Sequence, residues 1–402
     1  MTKPASHFPL LTHNKTAYLD NSATAQKPAC VLDAQRYYYE HQNANPMRGL
    51  YPLSVESTAC YEAARETVQH FLGAKEASEI VFTRNTTEAI NLVAYSYGLS
   101  KLTQGDELVV SVMEHHSNLL PWQMVARQTG ATLRYLFCEQ DGSFTKETLD
   151  AAFTAQTKLV AITHVSNVLG RINPIDEIVS RAHAVGAVVM LDIAQSVPHL
   201  PVDVQALDVD FAAFSGHKLF GPMGIGVLYG KKALLEAMPP FMSGGEMIES
   251  VTLEGATYAP VPHKFEAGTV NVADAVGLAA AIDFLNEQGW AYMMQQEAAL
   301  THRLMEGLSA VPHVHILGSQ KAEEHIGIVT FVIADVHPHD ISAVLEGDGI
   351  DVRAGHHCAQ PLLAHLGVRS ATRASLMFYN TEEEIDKLIA SVATVRGKLG
   401  FE

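Results

Sequence analysis

The stretch Phe211-Ala212-Ala213-Phe214-Ser215-Gly216-His217-Lys218 joins four apolar residues to a serine, a glycine, a histidine and a lysine. Its first half reads as a buried strand. Its second half puts a lysine in the loop at the strand end, just ahead of Gly221. Lysine is almost never buried unless it is paired or put to chemical use. One chemistry that needs such a lysine is a Schiff base between its ε-amine and an aldehyde. The alternative is a plain surface charge.

Similar apolar runs recur at Ile80–Thr83, Leu108–Val112, Leu133–Phe137, Leu159–Thr163, Val188–Leu191 and Ile225–Tyr229, with helical segments between most of them. Continuous rather than alternating apolar strands indicate a sheet covered on both faces, hence an α/β layer with mostly parallel strands. Ser54 is expected to cap a helix that runs to Leu72 and ends at Gly73. Another helix is expected over Glu88–Ser96. Residues 239–270 are rich in Pro, Gly and Thr and can hold a hairpin. Helices are expected near Ala273–Gln288 and Met293–Leu308. Beyond them, strands (Ile328–Ile333, Val352) alternate with helices (Asp340–Gly347, Glu382–Lys398), which reads as a smaller α+β domain.

The 402 residues can bury a large core, and 48% hydrophobic with 18% charged residues describes a globular chain. A formal net charge of −17 argues against non-specific binding to nucleic acid or anionic membranes. Met1 to Leu10 contain no apolar segment of a signal peptide, and no run is long enough to span a membrane. The four cysteines, Cys30, Cys60, Cys138 and Cys358, lie far apart and form no C-x-x-C pair, which fits a reduced cytoplasm.

Functional groups in open α/β sheets gather at the carboxyl ends of strands. After Ile80–Thr83, Thr86 and Thr87 precede a helix and can make an anion site suited to phosphate; they can equally be an ordinary helix cap. After Val188–Leu191, Asp192 can pair with a protonated pyridine nitrogen or can be a turn aspartate. After Leu108–Val112, His115 can stack on a cofactor ring or shuttle protons, or can be a loop histidine or a metal ligand. Asp192, Ser215 and Lys218 fall in order on two consecutive strand ends. That joint pattern points to pyridoxal 5′-phosphate (PLP).

The chain resembles PLP-dependent enzymes of the class V aminotransferase fold, and within them the SufS-type cysteine desulfurases and selenocysteine lyases. The resemblance rests on Tyr18-Leu-Asp-Asn-Ser-Ala23, Thr86-Thr87-Glu88, Glu114-His115-His116, Thr163-His-Val-Ser-Asn167, Asp192-x-x-Gln195, Ser215-Gly-His-Lys218, Phe265-Glu-Ala-Gly-Thr269 and Arg353-Ala-Gly-His-His-Cys358. It implies a fold type I architecture: an arm over residues 1–25 packing with the small domain, a PLP-binding large domain over 26–270 with a seven-stranded sheet, and a small domain over 271–402 carrying the catalytic cysteine. It implies that Lys218 forms the Schiff base and moves protons, that His115 stacks on the ring, and that Asp192 and Gln195 contact the ring nitrogen and phenolic oxygen. Thr86, Thr87, Ser215 and His217 would hold the phosphate. Thr269 would reach the phosphate of a partner subunit, implying a homodimer. Asn167, Arg353 and Arg373 would bind the substrate carboxylate, which a guanidinium can grip in bidentate fashion.

Cys358 narrows the chemistry. It sits among Arg353, His356 and His357, and cationic neighbours raise the thiolate fraction of a thiol. The other readings are an inert buried cysteine and a zinc ligand. Three adjacent side chains do not readily converge on one tetrahedral metal, so no metal site is expected. The resemblance then implies desulfuration of L-cysteine to L-alanine, with a persulfide on Cys358, in the service of iron–sulfur cluster assembly. A SufE- or SufU-like protein would accept the sulfur, and His339 is a candidate contact for it or simply an exposed helix-start histidine. The chain departs from the SufS-type pattern at Met47 and Tyr51, where two histidines are usual. Selenocysteine lyase or another class V reaction is the alternative, and a non-enzymatic scaffold is a third reading, disfavoured by the complete set Lys218, Asp192, His115 and Arg373.

Overall fold

The computed structural model describes residues 4–401, so the first three residues of the arm lie outside the described residues. The strands in chain order are β1 (Ala17–Tyr18), β2 (Ile80–Thr83), β3 (Glu107–Ser111), β4 (Thr132–Leu136), β5 (Thr157–Thr163), β6 (Val188–Asp192), β7 (Phe211–Ser215) and β8 (Gly226–Gly230). Then come β9 (Ile248–Val251), β10 (Ala256–Tyr258), β11 (Val314–Ile316), β12 (Ile328–Ile333), β13 (Ile350–Asp351), β14 (Arg353–Gly355) and β15 (Ala371–Ser375). The expected strands form with ends shifted by at most two residues, except at Val352, which falls between β13 and β14. The expected hairpin is β9–β10.

Seven strands make the main sheet, in the order β2-β8-β7-β6-β5-β3-β4. All run parallel except β8, which is antiparallel to both β2 and β7. The chain turns directly from β7 into β8 without a crossover helix, and such a direct return forces the antiparallel pairing. Alternate residues of the same strands enter two separate cores. Phe82, Ile162, Leu191, Ala212 and Phe214 face one, and Val81, Ala161, Met190, Phe211 and Ala213 face the other. This is why these strands read as unbroken apolar runs: neither face meets water.

Several helices start two or three residues ahead of expectation, among them Trp290–Ser309 and Pro338–Gly347, and two starts in the large unit are informative. The first helix begins at Pro52 rather than after Ser54, because proline tolerates an N-terminal position that needs no amide donor. Ser54 sits inside it and donates to the Asn45 carbonyl at 2.6 Å. Gly73 ends this helix in the left-handed region, as expected. The second helix spans Thr86–Val93 and passes into a π-helical turn over Ala94–Gly98. Its cap is Asn85, whose side chain accepts from Glu88 N at 3.0 Å.

The helix Val272–Gln288 packs on the helices Ala29–His41 and Pro52–Leu72 and shares their core. By packing it goes with the large sheet, although it lies past residue 270; an apolar run indicates a helix but not the layer it joins. The remaining C-terminal elements build a four-stranded antiparallel sheet, β11-β12-β15-β14. Helices Trp290–Ser309, Pro338–Gly347 and Glu382–Lys398 cover it. The arm serves both units. Ala17 and Leu19 enter the small core and β1 pairs with β13. Phe8 packs in the large core against Phe220, Phe284 and Tyr379.

A buried ion pair locks the large unit. Arg65 grips Glu266 with two bonds of 2.7 and 2.8 Å, and donates to the Ile80 carbonyl at 2.8 Å. Glu266 also accepts from Phe82 N at 2.7 Å and from Tyr61 Oη at 3.1 Å. Glu266→Gln takes away the buried carboxylate on Arg65 and leaves the guanidinium with only the part-exposed Glu62, 3.0 Å away, as a charged partner. It is expected to cost about 3–5 kcal/mol of stability, seen as a lower urea midpoint. An unchanged midpoint would show that the pair is not holding the fold.

Candidate active site

The carboxyl ends of β2, β3, β5, β6 and β7 open on one cavity of about 490 Å³. The small unit closes it with Arg353, His356, His357, Cys358 and Arg373. Of the residues singled out from sequence, Thr86, Thr87, His115, Asn167, Asp192, Gln195, Ser215, His217, Lys218, Arg353, Cys358 and Arg373 line it.

Lys218 ends a short helical turn after β7. Gly216 permits that turn, since a Cβ there would lie 2.8 Å from Ile225. Burial pulls the Lys218 amine down to about 8, against the opposing pull of Asp192. On the facing helix start, Thr86 N donates to Ser215 Oγ at 2.8 Å, and the two hydroxyls meet at 2.6 Å. Thr87 Oγ1 meets Ser117 Oγ at 2.7 Å. Gly226 lies beneath this loop, where a Cβ would come within 2.5 Å of Asn85 Cα. Only glycine lets the loop sit so close to the sheet.

Asp192 is buried, and burial raises its carboxyl above the usual range. It accepts from Ala194 N at 3.0 Å. A cation brought into the cavity would return it to the charged form. His115 takes a proton-accepting role at Nδ1, which receives Ser117 N at 3.1 Å, so its proton sits on Nε2. Burial, reinforced by Lys218, lowers it to about 3 and keeps the ring neutral. Neutral imidazole is the form that lies flat on a cationic ring without repulsion. Burial likewise lowers His217 to about 4.

Arg373 is buried and donates to the Asn167 carbonyl at 2.8 Å. Asp20 lies 3.6 Å from one of its nitrogens. The fork of Arg353 is already taken: it holds Asp20 with bonds of 3.1, 3.1 and 2.7 Å. Arg353 is half exposed, so of the two guanidiniums Arg373 is the buried one with donor capacity left.

Cys358 stands exposed in a tightly held loop. His357 and Cys358 both have left-handed backbone, φ 51° and 54°. Such a pair needs support. Asn167 Nδ2 donates to the His357 carbonyl at 2.7 Å, His357 Nε2 donates to Ala371 O at 2.9 Å, and His116 N donates to the Cys358 carbonyl at 2.8 Å. The cations near the thiol differ from expectation. Burial holds His357 at about 3, hence neutral, and the charges within reach of Cys358 are Arg353, Arg373 and Lys218.

The donor set fits PLP. Five buried polar atoms of residues on the cavity wall have no partner: Ser22 Oγ, Gln195 Oε1, His217 Nδ1, His357 Nδ1 and Arg373 Nε. Gln195 Nε2 already donates to the Ser22 carbonyl at 2.9 Å, which leaves its second N–H for a ligand. Hydroxyls at a helix start, a buried acid, a neutral stacking ring and a buried amine answer in turn to phosphate, pyridine nitrogen, ring face and aldehyde. Among the described residues, no three His, Cys, Asp or Glu side chains converge as a metal site.

The aminotransferase class-V profile matches residues 17–388. The chain belongs to the class V aminotransferase family. It is 50% identical to a probable cysteine desulfurase of Halalkalibacterium halodurans, over 98% of this chain and 97% of the relative. It superposes on a cysteine desulfurase from Thermococcus onnurineus NA1 with a TM-score of 0.94 and 39% identity, covering 99% of each chain. It also matches a structure, named C-DES, in which a glycine is covalently linked to the PLP cofactor, with a TM-score of 0.84, 25% identity and coverage of 98% and 99%.

Two expected residues of this class V enzyme lie away from the cavity. Thr269 is exposed on the loop after Glu266, and His339 is exposed at the start of the helix Pro338–Gly347. Three residues without a role from sequence prove central. Asp20 binds Arg353 and neighbours Arg373. Glu114 is fully buried, accepts from Ser111, Asn118 and Thr163, and is raised by burial to about 8. Lys27 holds the carbonyl of His217 at 2.8 Å. Asp20 and Glu114 stand in stretches that carry the family resemblance but had no role of their own, and Lys27, between Gln26 and Pro28, gave no signal.

The amine tuning has a direct readout. In cofactor-free protein, labelling of Lys218 by an amine reagent should rise with pH up to about 8 and level off above it, as the buried amine loses its proton. An ordinary lysine would keep rising to about 10.4. Peptide mapping after timed labelling measures this, and a continued rise through pH 10 would contradict it.

Proposed function

We propose that this chain is a PLP-dependent cysteine desulfurase, converting L-cysteine to L-alanine and retaining the sulfur on Cys358 as a persulfide. The observation that carries the reading is the presence of Cys358 on the wall of the same cavity as Lys218, facing Arg353 and Arg373. The two desulfurase relatives support it.

PLP, when bound, supplies an electron sink next to the amino-acid Cα. Thr86, Thr87, Ser215 and His217 would hold its phosphate, Asp192 its ring nitrogen, Gln195 its phenolic oxygen, His115 its ring face and Lys218 its aldehyde carbon. Arg373 and Asn167 bind the substrate carboxylate and point the side chain at Cys358. The Lys218 amine, tuned to lie near neutral pH, takes the Cα proton. The Cys358 thiolate bonds to the substrate sulfur as the Cβ–S bond breaks. The electron pair of that bond stays with carbon; Cβ takes up a proton, the proton taken from Cα is given back there, and the product leaves as alanine.

We also propose a homodimer and an acceptor protein for the sulfur, serving iron–sulfur cluster assembly. Thr269, exposed and outside its own cavity, supports the first. His339, exposed on the small unit, supports the second. No helix among the described residues is long and apolar enough to cross a membrane.

Cys358→Ala should keep the yellow cofactor colour but form no persulfide and release no sulfide from L-cysteine. Undiminished sulfur transfer to a thiol acceptor would remove Cys358 from the reaction. Arg373→Lys should raise KM for L-cysteine about 10- to 100-fold, the loss of a charge-assisted carboxylate bond. An unchanged KM would place carboxylate binding elsewhere.

A further inference from the structure

The His217 carbonyl, one peptide before Lys218, is held more firmly than a loop carbonyl requires. It accepts from Ala25 N at 3.1 Å, Thr24 Oγ1 at 3.1 Å and Lys27 Nζ at 2.8 Å. All three donors come from one short segment, Thr24–Lys27, where the N-terminal arm runs into the large unit. Lys27 Nζ donates also to the Ala25 carbonyl at 2.5 Å and lies 3.4 Å from Thr24 Oγ1. Among the described residues no carboxylate pairs with it. Burial pulls its ammonium down to about 7. A part-buried lysine without a counter-ion is costly, and its three donors are spent on two carbonyls and a hydroxyl.

The arrangement has a mechanical consequence. Lys218 carries a long side chain with many rotamers, and proton transfer tolerates little misplacement of its amine. Fixing the peptide before it removes backbone motion and leaves the side chain alone to move. The same arm reaches the rest of the cavity, through Ser22 to Gln195 and through Asp20 to Arg353. Lys27 itself does not line the cavity, so it acts on the reaction only through His217 and Lys218.

We propose that Lys27 is a positioning residue for Lys218, pinning the His217–Lys218 peptide by its bond to the His217 carbonyl. The inference rests on the reading of Lys218 as the cofactor-binding lysine.

The test titrates cofactor-free protein with PLP by absorbance, then follows the bound absorption band against pH without amino acid. Lys27→Met should weaken PLP binding at least tenfold and move the pH midpoint of the band. Lys27→Arg, which keeps charge and donors, should restore both in part. Thr24→Val, which removes one donor to the same carbonyl and no charge, should move both in the same direction by less. Wild-type affinity and midpoint in Lys27→Met would overturn the inference. If that variant does not fold, an unchanged midpoint in Thr24→Val overturns it. Borohydride reduction of the wild-type complex and peptide mapping separates the two readings: label at Lys218 leaves the site intact whatever Lys27 does, and label elsewhere overturns the site and the inference with it.

Discussion

Burying charge governs this molecule. Lys218, Asp192 and Arg373 sit out of water on the wall of one cavity, and Glu114 is buried behind that wall against Thr163. Burial alone disfavours each charged form, so each group is left poised between states or short of a partner. The fold tolerates this because the sheet beneath is buried on both faces and rigid. A ligand bringing a phosphate, a cationic ring nitrogen and a carboxylate would relieve these groups together. Binding and chemistry therefore draw on the same stored mismatch.

The frame for that mismatch is assembled from distant pieces of chain. Glu266 ties the start of β2 to the loop that carries Thr269, through Phe82, Tyr61 and Arg65. Gly226 lets the Asn85 loop approach the sheet, which sets the helix start against Ser215. The N-terminal arm threads between the two units and touches Arg353, Gln195 and the Lys218 turn. The arm thus acts as part of the cavity wall as well as a brace for the small sheet.

The sheet was legible in the sequence because its strands are continuous apolar runs, and the Ser215–Lys218 turn stood out because lysine is out of place there. Asp192, His115, Arg373 and Cys358 could be placed because each follows or sits in a strand or loop with a recognisable pattern. Asp20, Lys27 and Glu114 could not. Their partners lie far away in the chain, as with Asp20 and Arg353, and a lone charge beside a turn looks like a solvated one. The histidine neighbours of Cys358 misled for a related reason: an imidazole promises a cation only where water reaches it, and His357 is buried. The helix Val272–Gln288 was visible by its apolar run, but which core it joins is decided by tertiary packing.

The left-handed backbone at His357 and Cys358 has a further consequence. Two hydrogen bonds from separate parts of the large unit, Asn167 and His116, and a third to Ala371 of the small sheet hold that loop in a conformation most residues avoid. The sulfur atom is therefore mounted on a stiff bracket and can swing only about a single side-chain bond. On the role proposed for Cys358, a persulfide there would not travel with a moving arm. An acceptor would have to bring its own reactive atom to the rim of the cavity.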